Sequence, residues 1–254
     1  MSLETKKYMR TITVIMLNYR RTANIEKILD ALSDQTIRPT IWLWNNSGQR
    51  LNNAHVDMEV VAEANLHCWP RWFLASYAPT KYVMMIDDDI VPTSNKLIEI
   101  VIDALENQAN PDAIVGAEGV ILASGAYWPT YPGRVARQAF NITQDSSVHY
   151  KKVVADVRVD IVKGRCLALR TEVLKLLPLL PQHRDMCDDI AVSALLARGR
   201  KRAHLVSSAL GAVLEDLPDT NPQVALSRLP NWREVRESAT EHYYSLEKIK
   251  KERP

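Results

Sequence analysis

The chain has 254 residues, 46% of them hydrophobic and 24% charged, with 32 Lys and Arg against 30 Asp and Glu. That length supports a core needing no staples, and three cysteines at wide spacing with no CxxC pair (Cys68, Cys166, Cys187) exclude a disulfide framework and a cysteine zinc site. Polar first residues and the lack of any apolar run near the ~20 residues that cross a bilayer predict a cytoplasmic chain with neither leader nor membrane span; a net charge of +2 names no polyanionic partner by itself.

Thr11 to Leu17 is a β-branched, apolar run that reads as the first strand and stops at Asn18-Tyr19-Arg20-Arg21. A helix capped by Thr22 or Asn24 follows, with Ile25, Ile28, Leu29 and Leu32 on one stripe before Asp34 and Pro39. Thr40 to Trp44 predicts a second strand running into the turn Asn45-Asn46-Ser47-Gly48, and Met58 to Ala62 a third. Asn65 then precedes a helix carrying Trp69, Arg71 and Trp72.

Lys81 to Pro92 is the most informative stretch. Tyr82-Val83-Met84-Met85-Ile86 has the composition of a strand buried on both faces, and it ends in Asp87-Asp88-Asp89. Adjacent carboxylates at a strand end repel one another and call for a compensating cation. In open α/β sheets ligands bind outside the carboxyl ends of strands, where such acids can hold Mg²⁺ or Mn²⁺ shared with a diphosphate. The plainer alternative is that the acids cap a helix starting near Ser94.

Leu97 to Leu105 reads as an amphipathic helix and Ala113 to Gly116 as a strand. Residues 117–150 form an excursion rich in Gly, Pro and aromatics (Tyr127, Trp128, Tyr131, Phe140) suited to holding an acceptor. Val153 to Val159 and Ile161 to Leu169 read as paired strands around Lys163-Gly164-Arg165, with a helix from Thr171 ending by Pro178. Asp185, Asp188 and Asp189 open the next helix; capping explains the first two more readily than Asp189. That helix ends in Arg198, Arg200, Lys201 and Arg202. Leu205 to Val213 is the last expected strand, 215–231 a loop, and Trp232 to Lys251 a charged amphipathic helix.

With both acidic segments in view, the chain resembles the exostosin-type retaining α-N-acetylhexosaminyltransferases. The likeness is carried by Ile15-Met16-Leu17-Asn18-Tyr19-Arg20-Arg21-Thr22, Trp44-Asn45-Asn46-Ser47-Gly48, Ile86-Asp87-Asp88-Asp89 and Cys187-Asp188-Asp189-Ile190-Ala191, in family order over residues 11–205. It implies a single α/β domain of the GT-A type, a mainly parallel sheet flanked by helices, with a nucleotide-sugar half at about 11–116 and an acceptor half with the C-terminal helix at about 117–254. It also implies a UDP-sugar donor contacted by Arg21, Asn46, Asn65 and Arg71, with Asp87 and Asp88 near ribose and sugar. By the same likeness Asp89, with Asp87, ligates Mn²⁺ or Mg²⁺; Asp188 binds the donor sugar; and Asp189 lies beneath the anomeric carbon. Arg233, Arg236 and His242 are the local candidates for residues that hold the diphosphate. Family members are anchored in the secretory pathway, whereas this chain shows no anchor, so donor sugar and acceptor are not inherited.

The expectation is therefore a metal-dependent retaining glycosyltransferase with an intracellular hydroxyl acceptor. The acceptor is either a saccharide or glycolipid, or a hydroxymethylated base in duplex DNA. For DNA, the basic cluster 198–202 with His204, Lys248, Lys250, Lys251 and Arg253 would supply phosphate contacts. Two other classes compete. A nucleotidyltransferase shares strand-edge acids but usually needs a glycine- and lysine-rich early loop, and residues 11–30 contain no glycine. A non-catalytic sugar- or nucleic-acid-binding module leaves two acidic clusters unexplained.

Overall fold

The computed structural model describes residues 10–122, 147–148, 153–177, 187–218, 226 and 230–244. Strand β1 (Ile12–Asn18) leads through helix α1 (Thr22–Ser33) to β2 (Thr40–Asn45) and β3 (Met58–Val61). Helix α2 (Pro70–Ser76) precedes β4 (Tyr82–Ile86), the short β5 (Ile90–Pro92) and helix α3 (Leu97–Glu106). The remaining strands are β6 (Val115–Gly116), β7 (Gly119–Val120), β8 (Ser147–Val148), β9 (Val157–Val159), β10 (Ile161–Val162), β11 (Cys166–Arg170), β12 (His204–Val206) and β13 (Leu214–Asp216). A 3-10 turn occupies Thr171–Leu176, and helices α4 (Asp188–Ala197), α5 (Ser208–Gly211) and α6 (Trp232–Tyr244) follow among the described residues.

Eight strands form one sheet in the order β3-β2-β1-β4-β11-β6-β12-β9. Strands β3, β2, β1 and β4 are mutually parallel, β11 is antiparallel to both β4 and β6, and β12 is parallel to β6. Alternation along β1 and β4, with both faces covered, explains why they are almost wholly apolar. Ile12, Val14, Met16, Tyr82, Met84 and Ile86 face a core closed by α1 and α3. Ile15, Val83 and Met85 face a second core with Trp72, Leu74, Val192 and Leu196 from α2 and α4. With both faces covered, each fully buried side chain of this size contributes about 1.5–3 kcal/mol.

The topology sets where chemistry can gather. Chain order reverses at β1, whose neighbours β2 and β4 lie on opposite sides, and the crevice at such a reversal lies outside the carboxyl ends of the strands. Antiparallel β11 starts at that edge, with Cys166 opposite Ile86 and the Asp87 N–H donating to Arg165 O at 2.8 Å. Strand β13 returns to the same edge by pairing antiparallel with β5, Asp216 opposite Ile90.

Several expectations change. The acid trio does not cap a helix: β5 follows it, and α3 begins only at Leu97 behind Lys96. Val153–Val159 and Ile161–Leu169 do not pair with each other. Instead β9 pairs with β12, β10 with β7, and β11 fills the sheet between β4 and β6. Leu205–Val213 is not one strand, because Ser207 accepts a hydrogen bond from Leu210 N–H and caps α5 before the chain extends again at Leu214. Asn24 lies within α1 rather than capping it, and its Nδ2 donates to the Asp88 and Pro218 carbonyls. The two sequence halves share one sheet, since β9, β11 and β12 interleave with β6. The aromatic excursion at 127–140, Asp185, and Lys248 to Arg253 fall outside the described residues.

Candidate active site

The two acidic motifs, a hundred residues apart, meet at the sheet's carboxyl edge through one guanidinium. Arg71 enters from the first turn of α2, which Pro70 opens at a position where its missing N–H costs nothing. Arg71 Nε and Nη2 donate to Asp188 Oδ2 at 2.8 and 2.6 Å, and Nη1 donates to Asp87 Oδ1 and to Gly164 O, both at 2.9 Å. Trp72 Nε1 adds a bond to the same Asp188 oxygen at 2.7 Å. Arg71, expected to contact the nucleotide, is 3% exposed, and all three of its nitrogens bond within the protein. Gly164 makes this packing possible: a Cβ there would lie 2.2 Å from Arg71 Nη2.

The acid trio draws on two more arginines. Arg21 Nη1 donates to Asp88 Oδ1 at 2.7 Å and approaches Asp89 Oδ2 at 3.5 Å. Arg165 Nε and Nη2 donate to Asp89 Oδ1 at 3.1 and 3.0 Å. Three carboxylates are thus held by three cations from different elements. Burial pushes the Asp87 carboxyl up to about 7; Arg71 opposes the rise, and Asp89 and Asp88 add to it, although 32% of the side chain remains open. Burial likewise raises Asp88, against the pull of Arg21.

Asp188 and Asp189 sit differently, 3% and 7% exposed at the start of α4. Arg236, from α6, donates to Asp189 Oδ2 at 2.8 Å and Oδ1 at 3.1 Å, and its guanidinium lies 4.7 Å from the Trp232 ring centroid. Arg236 is therefore a buried partner of Asp189, whereas Arg233 and His242 are exposed on the same helix. The packing of α6 on α4 is apolar: Ile190, Cys187 and Ala239 cluster with Val235 and Tyr243.

The asparagines shape the neighbouring edge. Asn46 Oδ1 accepts from Trp44 Nε1 and Leu66 N–H, its Nδ2 donates to His67 O, and Asn65 Oδ1 accepts from His67 N–H. These bonds hold His67 at φ 56°, and Arg20, at the end of β1, sits at φ 63°. Left-handed non-glycine residues are costly and tend to cluster at binding sites.

Among the described residues no group of three or more His, Cys, Asp or Glu side chains encloses a metal ion. The trio nevertheless fits an ion shared with a ligand. Mg²⁺ and Mn²⁺ accept hard carboxylate oxygens and need only one or two from the protein when phosphates complete the shell. Among the described residues Asp89 Oδ2 has only a long contact to Arg21, at 3.5 Å.

The basic cluster after α4 is less available than its sequence suggests. Arg198 and Arg200 both lie near Asp112 Oδ2, at 3.6 and 3.4 Å. His204 is wholly buried, so it makes no phosphate contact. Its Nδ1 accepts from Ile114 N–H at 3.1 Å, which makes Nε2, 2.8 Å from Ser193 O, the protonated nitrogen.

Arg165, Gly164, Glu118 and Asp216 were given no role by sequence reasoning. The signal available was a charged Lys-Gly-Arg step between two apolar runs, but only the register of β11 against β4 brings it to the acids.

No protein-family model and no curated protein matches the sequence. Among solved structures, the chain is similar to the mannosyltransferase PcManGT from Pyrobaculum calidifontis in complex with GDP-Man and Mn²⁺, at 16% identity and TM-score 0.52, covering 78% of this chain and 55% of that one. It is also similar to S. aureus TarS 1-349 at 12% identity and TM-score 0.46, covering 74% and 55%, and to S. aureus TarS at 13% and 0.49, covering 74% and 33%. The chain thus spans about half or less of the length of these structures. The first likeness establishes the fold: a single α/β domain of the GT-A glycosyltransferase type, its central sheet mostly parallel and flanked by helices.

Proposed function

We propose that the chain is a metal-dependent glycosyltransferase that moves a sugar from a nucleoside diphosphate donor, in our reading a UDP-sugar, to a hydroxyl acceptor with retention of anomeric configuration. The observation that carries the proposal is the Arg71 bridge, which brings Asp87 of the first motif and Asp188 of the second within one guanidinium of each other at the ligand-binding edge of the sheet. The GT-A fold and the GDP-Man and Mn²⁺ in the mannosyltransferase structure support it. The retaining stereochemistry rests on the exostosin-like motifs.

In this reading Asp89 and Asp87 hold Mn²⁺ or Mg²⁺, which when bound neutralises charge on the departing diphosphate. Arg21, Asn46 and Asn65 border the nucleotide, and Asp88 lies towards ribose and sugar. Arg71 and Trp72 keep Asp188 oriented at the donor sugar. Asp189, held by both of its oxygens to Arg236, faces the positive charge that develops at the anomeric carbon. Residues 11–116 carry most of the nucleotide side, and the second half carries the acceptor side.

A saccharide or glycolipid is the preferred acceptor, because of the residues expected to meet DNA phosphates His204 is buried and Arg198 and Arg200 share Asp112. Among the described residues no helix is long and apolar enough to cross a membrane, and a cytoplasmic setting is part of the proposal. The test is to incubate the protein with Mn²⁺ and a panel of nucleotide sugars and follow released nucleotide. Slow UDP release supports the assignment. Pyrophosphate release from UTP with a sugar phosphate identifies a nucleotidyltransferase, and turnover of neither overturns an enzymatic role. Proton NMR of the first product formed reads the anomer, and an inverted product removes retention. Labelled-sugar transfer to oligosaccharides against hydroxymethylcytosine duplex assigns the acceptor.

A further inference from the structure

Arg165 bonds to three carboxylates at the acid edge, Asp89, Glu118 and Asp216, and neither the motifs nor the fold assigns it a role. Its Nη1 donates to Glu118 Oε1 at 2.8 Å. Its Nη2 donates to Asp216 Oδ1 at 2.9 Å and approaches the Asp89 main-chain oxygen at 3.3 Å, while Nε and Nη2 both reach Asp89 Oδ1. Glu118 is 2% exposed, so its charge cannot be left without a cation nearby, and pairing with it pins the guanidinium from behind. Lys163 Nζ, 4.0 Å from the other Glu118 oxygen, leaves Arg165 the closer partner. On the open side Asp89 keeps 31% of its side chain exposed.

We propose that Arg165 is a positioning residue for divalent-cation binding. Braced by buried Glu118 and by Asp216, it fixes Asp89 Oδ1 and the Asp89 main chain, so that Oδ2 is presented to an ion shared with a nucleoside diphosphate. Carboxylates that ligate metals are commonly oriented by such outer hydrogen bonds, and loss of one typically weakens metal affinity by about 10–100-fold. Fixing the other oxygen with a planar two-nitrogen fork is a task for Arg rather than Lys, whose ammonium is a single rotating point charge. The inference rests on the glycosyltransferase reading above.

The test uses the full chain and reads binding, not turnover. Electron paramagnetic resonance measures Mn²⁺ binding in the presence of UDP, and calorimetry measures UDP binding without metal. For Arg165→Ala we expect Mn²⁺ affinity to fall by about 10–100-fold, metal-free UDP binding to stay as in the wild type, and Arg165→Lys to restore only part of the loss. Because Arg165→Ala takes from buried Glu118 its closer described cation and is at risk of not folding, Asp216→Asn removes one brace at a more exposed carboxylate, and a few-fold fall in Mn²⁺ affinity is expected there. Unchanged Mn²⁺ affinity in folded Arg165→Ala, or in Asp216→Asn should the first not fold, overturns the inference while leaving the glycosyltransferase reading standing. A fall confined to metal-free UDP binding also overturns it, making Arg165 a direct phosphate contact. Wild-type protein that binds neither Mn²⁺ nor UDP sinks both.

Discussion

The two acidic motifs are close in space and opposite in construction. Asp87 and Asp89 keep about a third of their side-chain surface open, and the trio's charges are spread over Arg21, Arg71 and Arg165. Asp188 and Asp189 are almost sealed, each clamped by one arginine with short bonds. An open carboxylate with shared, imperfect partners can exchange them for a ligand, whereas displacing the guanidinium from a buried carboxylate leaves an uncompensated charge and is costly. The first motif is thus the one with room to exchange partners and the second the more rigidly held, and the contrast is measurable.

The largest effect is expected from Arg71→Ala. It strands buried Asp188 beside Trp72 and removes the tie to Asp87, so unfolding free energy should fall by about 3–5 kcal/mol in a urea titration. A loss under about 1 kcal/mol, the range of exposed pairs, would mean that the second motif is as adaptable as the first and would break the contrast.

Acid should loosen the second motif selectively. Helix α4, which begins with Asp188 and Asp189, is tied through the Ser193 carbonyl to His204, and burial lowers the His204 pKa from 6.5 to about 4. A histidine lowered on folding is kept neutral by the native state, so its contribution is full above about pH 6.5 and is lost as pH falls towards 4. The total is on the order of 3 kcal/mol. Arg200 and Arg158 are the charged groups that also disfavour its protonation. Asp87, whose pKa is raised, works in the opposite direction over part of the same window, since its native form takes up a proton more readily than the unfolded chain. The informative measurement is therefore the difference between wild type and His204→Gln across pH 4–7. Parallel profiles would show that His204 is not the group responsible.

How far the sequence reaches is visible in these same residues. The strands β1, β2 and β4 and the helix α1 are legible because apolar runs and a helical stripe depend only on neighbours in the chain. The partners of β9, β10 and β11 are not, because β-branched composition specifies an extended backbone without saying which strand lies alongside. Acid spacing located the two motifs, but it could not say which oxygens are already spent. Arg71 reads as a nucleotide contact from the sequence, and only the structure shows its three nitrogens bonded to Asp87, Asp188 and Gly164. Arg236 reads as a candidate diphosphate contact for the same reason: a period of 3.6 places it on a side of α6 without naming what that side covers.

A smaller effect, aimed at the join between the motifs, is expected from Gly164→Ala. The added methyl meets the Arg71 guanidinium at 2.2 Å, and that guanidinium is held on three sides, so it can move only by giving up bonds to Asp87 or Gly164 O. A cost of about 1–3 kcal/mol is expected, typical of overpacking, together with weaker donor binding because Asp87 loses its anchor. Unchanged donor affinity alongside lowered stability would show that the Arg71 bridge serves the fold alone.

The smallest stability effect should come from the residue with the largest proposed role. Asp89→Asn removes one of three adjacent negative charges, relieving repulsion on Asp87 and Asp88. Arg165 keeps Glu118 and Asp216, and Arg21 keeps Asp88. Those gains and losses oppose each other at a carboxylate that is nearly one-third exposed, so stability should change by no more than about 1 kcal/mol. Mn²⁺ binding with UDP, by contrast, should fall at least about tenfold, because an amide oxygen carries no charge to hold a hard cation. A variant that lost several kcal/mol while still binding Mn²⁺ would reverse the assignment, making the open motif the structural one.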